Sequence, residues 1–149
     1  MADLCRTDIE ALLPHRDAAL FLLDATVRGS QVEGHASWPA RHPHLAGHFP
    51  GLPIVPGVFL IEAAAQLAGV ALAGCEGAAS RLGMLACVKR SLLHHPVRPG
   101  ERVHFKLDVK PGIGDRIATA SGYAQRDDGR KLLTVEITVA LVDRSEITQ

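Results

Sequence analysis

The sequence predicts one α+β domain over residues 1–149, in which an antiparallel β-sheet packs around one long apolar helix. Residues 57–73 read GVFLIEAAAQLAGVALA, a run that is apolar on every side and too long for a strand. Four segments rich in Val, Ile, Leu and Thr follow it, separated by turn residues. A chain of 149 residues is also long enough for one domain with an ordinary core.

The N-terminal part is predicted to form a short helix and then a hairpin. Thr7 and Glu10 have the spacing of a capping box, which indicates a helix over residues 7–13. Two apolar segments then flank Gly29-Ser30, a pair suited to a hairpin turn. The predicted strands are residues 19–28 and 31–38.

A proline-rich loop precedes the long helix. Residues 39–56 contain five prolines and two glycines, which exclude helix and regular strand and indicate a rigid, shaped loop. Pro56 suits the first turn of a helix, so the helix is predicted over about residues 56–73.

The C-terminal half is predicted to be all strand. The clearest hairpin is the last one, joined by Asp127-Asp128-Gly129. His94 and His95 are expected to lie in a strand and to point to opposite faces. The four predicted strands are residues 82–93, 102–110, 116–126 and 131–142.

Composition excludes several classes of protein. Sixteen basic residues balance 16 acidic ones, which argues against a protein built mainly to hold nucleic acid. Cys5, Cys75 and Cys87 form no CxxC pair, so reduced thiols and a cytoplasmic location are expected. The first 16 residues lack the pattern of a signal peptide. Glu62 and Gln66, near the centre of the apolar run, argue against a membrane span.

Glu62 is the most informative residue on physical grounds. A carboxylate within an apolar helix loses hydration, which is expected to raise its pKa and to favour the protonated form of a general acid. Gln66 lies one turn further on the same face and could hold the carboxyl by a hydrogen bond. The alternative is a structural polar pair bonded to loop backbone, and the residues alone leave the two interpretations even.

His48 lies in the proline-rich loop, a rigid mount for a base that works near neutral pH. Most loop histidines are merely exposed, so this residue alone favours that simpler interpretation. The loop runs into the N-terminus of the long helix, where free N–H groups near Gly57 would suit a developing oxyanion. A base, an acid and oxyanion donors therefore occur within residues 48–62.

The other histidines point less clearly to a function. His42, His44 and His48 are close in sequence, but their spacing matches no tight zinc pattern, so no metal site is predicted. His15 and, further along, His35 and His104 are interpreted as surface or packing residues.

The stretch GHFPGLPIVPGVFLIEAAAQLAG at residues 47–69 resembles the signature of the (3R)-hydroxyacyl-acyl-carrier-protein dehydratases of the FabZ type. LLPHR at residues 12–16 and HPVRPGE at 95–101 agree with it, and the similarity extends from about residue 8 to about 142. The resemblance implies a single hot-dog domain, in which an antiparallel sheet wraps one long helix. It also implies dehydration of a 3-hydroxyacyl thioester to the trans-2-enoyl product.

The resemblance implies roles for individual residues as well. His48 matches the family's catalytic histidine, Glu62 its catalytic acid, and Gly57 the glycine whose backbone N–H binds the thioester carbonyl. Further substrate contacts are expected from Gln66, Phe49 and Val58. No metal and no organic cofactor is required for this reaction.

The implied partners are an acyl carrier protein and further copies of the chain. In this family the histidine and the glutamate of one site come from different subunits, so a homodimer or a trimer of dimers is expected. Carrier proteins are acidic as a class, and Lys89, Arg90 and Arg98 are predicted to contact one. The motif is also similar to relatives that serve polyketide or aryl polyene pathways, alongside fatty acid biosynthesis.

Two other functions remain as alternatives. A hot-dog acyl thioesterase would use a carboxylate near the helix to activate water and would not need His48. A non-catalytic subunit that binds acyl carrier protein would have no need for a buried carboxylate beside a histidine.

Overall fold

The computed structural model of the protein describes residues 1–75 and 77–148. Within these residues, seven antiparallel strands form one sheet. The strands are β1 (Ala2–Cys5), β2 (Leu22–Arg28), β3 (Gln31–Ala36), β4 (Arg81–Leu93), β5 (Val103–Pro111), β6 (Ile117–Gln125) and β7 (Lys131–Asp143). Their spatial order is β1-β2-β3-β5-β6-β7-β4, so β1 and β4 are the two edge strands.

The described residues form three α-helices beside the sheet, α1 (Arg6–Leu12), α2 (Gly57–Ala73) and α3 (Arg144–Ile147), and two short 3-10 helices at Asp17–Ala19 and Ala78–Ser80. Helix α1 starts one residue before the predicted position, and its capping contact differs from the predicted Thr7 and Glu10 pair. The backbone N–H of Cys5 instead donates to Asp8 Oδ2 at 2.8 Å. The carboxylate therefore satisfies an N–H that the first turn leaves free.

Helix α2 lies against the sheet and contacts strands β2 to β7. Alternate residues of the strands point at it; in β5 these are Val103, Phe105, Leu107 and Val109, all buried. Gly34 in β3 permits a close approach, because a Cβ there would lie 2.8 Å from Cδ1 of Leu67 in the helix.

Helix α2 is buried on one side only, although its sequence is apolar all round. Leu60, Leu67 and Ala68 are at most 1% exposed, whereas Val58 is 65% exposed. Ile61 and Ala65 are half-buried. The helix is thus the centre of the core, as predicted, but it also presents a partly open apolar face.

Edge strand β4 carries a second apolar surface. Its 13 residues pair with β7 only on one side. Five of its large apolar side chains are between 40% and 52% exposed. They are Met84, Leu85, Val88, Leu92 and Leu93. A long, apolar edge of this kind is a ready template for pairing with another chain.

The loop between β3 and α2 is irregular, as its prolines predict, and is held by successive turns. The N–H of His42 donates to the carbonyl of Pro39, that of Leu45 to His42, and that of His48 to Leu45. Leu45 is completely buried and anchors the loop in the core. This places His48 at a fixed position just before α2.

The predicted antiparallel strands and hairpins are confirmed, with two differences. Strand β4 ends at Leu93, so His94 and His95 follow the strand, and their placement within it was wrong. Strand β1 and helix α3 carry no clear sequence pattern and were not predicted. Within residues 1–75 and 77–148, no helix has the length and apolarity needed to cross a lipid bilayer.

Candidate active site

Gln66 links Glu62 to the loop that precedes β2. Its side-chain Nε2 donates to Glu62 Oε1 at 3.1 Å and to the carbonyl of Ala19 at 2.7 Å, while its Oε1 accepts from the N–H of Phe21 at 3.0 Å. Gln66 is 2% exposed, so these bonds lie in the core. The spacing of four residues along the helix predicted the contact between Gln66 and Glu62. Both interpretations of the pair hold together, because the Gln66 amide is bonded to loop backbone and also orients the Glu62 carboxyl.

Glu62 itself is less buried than its helix suggests, with 40% of its side chain exposed. Burial still acts to raise its pKa, but the hydrogen bonds from His15 and Gln66 lower the pKa below its ordinary value. The expectation that the apolar helix alone raises this pKa was therefore wrong. The contacting side chains favour the carboxylate form in the single chain.

His15 is the partner that the sequence interpretation missed. Its Nε2 lies 3.3 Å from Glu62 Oε1, and the side chain is 27% exposed. The interpretation of His15 as a surface or packing residue did not include this contact with the candidate acid. The LLPHR segment was visible in the sequence, but nothing in the spacing indicated which residue the histidine would reach.

His48 is held in one orientation by a backbone carbonyl. Its Nδ1 lies 2.9 Å from the carbonyl oxygen of Ile54, and its ring stacks on Phe49 at a centroid distance of 4.3 Å. A carbonyl can only accept, so Nδ1 carries the proton in the neutral ring. Nε2 is then the unprotonated nitrogen, which is the form that a general base requires.

Gly57 is the first residue of α2 and packs directly against β4. A Cβ at this position would overlap Cδ1 of Leu93, so the backbone comes close only because no side chain is present. The N–H groups of a first helical turn have no partner within their own helix. Gly57 therefore presents a backbone donor in the loop–helix junction that follows His48.

Two cavities meet at Glu62 and His15. The larger, about 510 Å³, extends between α2, the end of α1 and the sheet, and its apolar lining includes Leu13, Leu72 and Val139. The smaller, about 340 Å³, has an aromatic lining. That lining comprises Phe21, Phe59, His42 and His44. Glu62 is thus accessible from a space of mixed lining, with many apolar side chains, that is large enough for an acyl chain.

The remaining candidates are not brought to Glu62 within one chain. His48 lines neither cavity of Glu62. Phe49 and Val58 are 53% and 65% exposed, on the outer side of the loop and helix. The sequence groups His48 and Glu62 within one short segment, whereas in the single chain His48 does not line the cavities that Glu62 lines.

The three predicted basic contacts are exposed but not equivalent. Lys89 Nζ is bonded to Glu136 Oε1 at 2.8 Å, and this contact raises the pKa of the lysine. Within the described part of the chain, the side chains of Arg90 and Arg98 have no carboxylate contact. Arg90 and Arg98 are therefore the better candidates for binding an acidic partner.

The loop histidines form an aromatic cluster. His42 is 7% exposed, its Nε2 lies 3.0 Å from the carbonyl oxygen of Ala18, and its ring is 5.6 Å from that of His44. Across residues 1–75 and 77–148, no three His, Cys, Asp or Glu side chains are arranged to hold a metal ion. The aromatic environment of His42 and His44 is typical of packing.

An antiparallel sheet around one long helix, with polar side chains at its open face, defines a hot-dog protein. Solved structures agree. The dehydratase heterocomplex ApeI:P from Xenorhabdus doucetiae has a TM-score of 0.73 at 18% identity, covering 95% of each chain. A mutant thioesterase from Pseudomonas aeruginosa has a TM-score of 0.68 at 16% identity, covering 92% of this chain and 93% of that one. The fold is therefore shared by dehydratases and thioesterases alike.

Sequence similarity decides between those classes. The profile of the ApeI dehydratase family matches residues 24–124, and the chain belongs to this ApeI-like family of dehydratases. The 3-hydroxyacyl-[acyl-carrier-protein] dehydratase FabZ of Latilactobacillus sakei is 33% identical over 139 residues, covering 88% of this chain and 94% of its own. FabZ of Thermoanaerobacter pseudethanolicus is 36% identical over 127 residues, covering 81% and 86%. The chain is an enzyme, and its class is that of the dehydratases.

Proposed function

We propose that the protein removes water from a (3R)-3-hydroxyacyl thioester carried by an acyl carrier protein, giving the trans-2-enoyl thioester in fatty acid or related biosynthesis. The observation that carries the mechanism is the contact of His48 Nδ1 with the carbonyl of Ile54. It leaves Nε2 as a base in a fixed direction, beside the loop–helix junction at Gly57.

The first half of the reaction is proton removal next to the thioester carbonyl. That proton is weakly acidic, so its transfer to His48 Nε2 needs stabilisation of the charge that develops on the carbonyl oxygen. The backbone N–H of Gly57 would donate to this oxygen. Phe49 and Val58, both exposed in the single chain, would then contact the thioester arm.

The second half is loss of the hydroxyl group. Glu62 would give a proton to the departing oxygen, directly or through a water molecule, while Gln66 keeps its carboxyl in place. His15 and Gln66 favour the carboxylate in the free chain. An acyl chain in the cavity would displace water from Glu62, and this loss of hydration raises the pKa towards the protonated form. These steps use only side chains and backbone.

Two copies of the chain would complete each site. Within one chain His48 does not line the cavities that Glu62 lines, and the apolar surfaces of β4 and of the outer side of α2 are left uncovered. A second copy with its β4 beside the first would cover those surfaces and bring the two side chains together. We therefore propose a homodimer or a trimer of dimers. The similar structure ApeI:P is a dehydratase heterocomplex. If this chain instead pairs with a different dehydratase chain, the purified protein should have no activity of its own.

The carrier protein would bind near the basic part of the chain. Residues 89–131 contain 10 basic and 5 acidic residues, although the whole chain has no net charge. Arg90 and Arg98 would contact the acidic carrier, with Lys89 contributing less because Glu136 already holds it. We propose that the reaction takes place in the cytoplasm. The three cysteines of the chain are free thiols, as expected for a protein in that compartment.

Kinetics on defined substrates test this function. The purified protein is expected to interconvert 3-hydroxyacyl and trans-2-enoyl thioesters of carrier protein, with carrier protein and coenzyme A thioesters compared over several chain lengths. His48→Ala and Glu62→Gln should each lower the rate by about 10²–10⁴-fold, the range for a lost acid or base. Release of free thiol from an acyl thioester would indicate a thioesterase instead. Binding without turnover would indicate a non-catalytic subunit.

A further inference from the structure

Glu62 Oε1 is held from two sides. Gln66 Nε2 donates to it from the same helix at 3.1 Å, and His15 Nε2 lies 3.3 Å away, on the loop between α1 and β2. Both contacts fall on the same oxygen. Among the described residues, Oε2 is therefore the oxygen left to meet a substrate.

The protonation of His15 follows from its surroundings. Its Nδ1 is buried and has no hydrogen-bond partner among the described residues. A charged imidazolium would bury an unpaired N–H at this atom, which is costly, whereas a neutral ring leaves only a lone pair there. The neutral ring with its proton on Nε2 fits best, since that proton can be donated to the carboxylate.

The other charged and titratable groups near Glu62 lie on the walls of the two cavities. His42 and His44 come from the loop before α2, and neither is in contact with the carboxyl. The larger cavity is also lined by further such groups from the end of α2, from β4 and from the segments before β6 and after β7. They are Cys75, Arg81, Asp115 and Arg144. His15 is therefore the titratable residue in direct contact with Glu62.

We propose that His15 is a positioning residue for Glu62: its Nε2–H holds Oε1, turns Oε2 towards the substrate, and biases where the proton shared by His48 and Glu62 resides. This proposal rests on the proposed function for its catalytic consequence, but the contact itself does not. His15 acts through Glu62 and does not touch the reacting atoms.

The proton balance of the reaction shows which residue of the pair, His48 or Glu62, the contact with His15 favours as the holder of the proton. Dehydration begins with neutral His48 and protonated Glu62, and it ends with the proton on His48 and a carboxylate at Glu62. A donor at Oε1 stabilises the carboxylate, so it disfavours the starting form and favours the form that begins hydration. The two forms carry the same number of protons, so His15 changes the ratio between them at every pH and leaves the two directions with the same optimal pH.

The test is a titration of Glu62 itself, followed by ¹³C NMR of side-chain carboxyls and assigned with Glu62→Gln. His15→Ala should raise the pKa of Glu62, because a donor to the carboxylate is lost while burial remains. His15→Gln offers an amide donor in place of the imidazole and should restore much of the wild-type titration. His15→Met, which has no donor but fills similar space, takes the place of the alanine variant if that one does not fold.

His35→Ala is the matched control. His35 Nδ1 lies 2.7 Å from Asp24 Oδ1, and the His35 side chain is 26% exposed. The alanine variant therefore loses a similar histidine–carboxylate contact, but one that lies outside both cavities. Its variant should leave the titration of Glu62 unchanged. A merely structural role for His15 would make the two variants behave alike.

Activity provides the second readout. In His15→Ala the limb of the dehydration pH profile that Glu62 sets should move to higher pH, because the pKa of Glu62 rises, and kcat should fall by about 10²-fold from misplacement of the carboxyl. An unchanged Glu62 titration in His15→Ala and His15→Met overturns the proposal, even in an active dehydratase. A raised pKa in a protein without dehydratase activity would support the contact and overturn the proposed function.

Discussion

Gln66 joins the candidate acid Glu62 to the loop before β2 through one buried amide, which bonds Glu62 Oε1 at 3.1 Å and the Ala19 carbonyl at 2.7 Å. The same amide accepts from the N–H of Phe21. Stability and site geometry are therefore coupled at a single side chain.

Gln66→Ala should destabilise the fold as well as the site. The Phe21 N–H and the Ala19 carbonyl lose their partner, and an unsatisfied buried group costs about 1–3 kcal/mol. The free energy of unfolding in urea should fall by roughly 2–4 kcal/mol. Gln31→Ala, at an exposed position of β3, is the control and should change it by less than about 0.5 kcal/mol. Equal stability of the two variants would contradict the role of the buried amide.

Gly57→Ala tests the close approach of the loop–helix junction to β4. The new Cβ would overlap Leu93, and such overpacking costs about 1–3 kcal/mol. Gly47→Ala is a control in the same loop, because a Cβ there has no neighbour within 4 Å. Adding Leu93→Ala to Gly57→Ala should recover stability in a urea titration. No recovery would show that the steric account is wrong.

The lowered pKa of Glu62 predicts a pH-dependent stability. A depressed carboxyl pKa stabilises the folded state above the unfolded pKa, and this contribution is lost as the pH falls through the folded pKa. Glu62→Gln should therefore differ most from the wild type near neutral pH and least in acid. Urea unfolding of both proteins at several pH values measures the difference. A difference that grows on acidification would mean that the native contacts favour the protonated acid.

Carrier binding should depend on the exposed arginines. Arg98→Glu and Arg90→Glu should each raise KM for a carrier-bound substrate by about tenfold, since a charge reversal repels an acidic partner. KM for a short pantetheine thioester should not change. Lys110→Glu is the control, because Lys110 is exposed and already paired with Asp108 at 3.1 Å. An equal effect of the three variants would place the carrier elsewhere.

Much of the architecture could be predicted because it depends on local patterns. The apolar run predicted the start of α2 to within one residue. The turn sequence Asp127-Asp128-Gly129 predicted the last hairpin. The contact of Glu62 with Gln66 followed from their spacing along a helix. His48 could be singled out because prolines make its loop rigid.

The rest depends on contacts between distant parts of the chain. His15 lies 47 residues before Glu62, counting from 15 to 62, and no local pattern relates the two. The predicted direction of the Glu62 pKa was wrong for the same reason, since its sign depends on that contact. Strand β1 is short and mostly exposed, so its sequence has no alternation of apolar and polar residues that would predict a strand. It forms through its pairing with β2.

The shared site is the central claim, and mixing two inactive variants tests it most directly. If His48 of one chain works with Glu62 of another, a mixed dimer of His48→Ala and Glu62→Gln contains one intact site and one that lacks both groups. Unfolding and refolding the two variants together should then restore about a quarter of the wild-type rate, because random pairing makes half of the dimers mixed. A mixture that forms mixed dimers and stays as inactive as either parent would contradict the account.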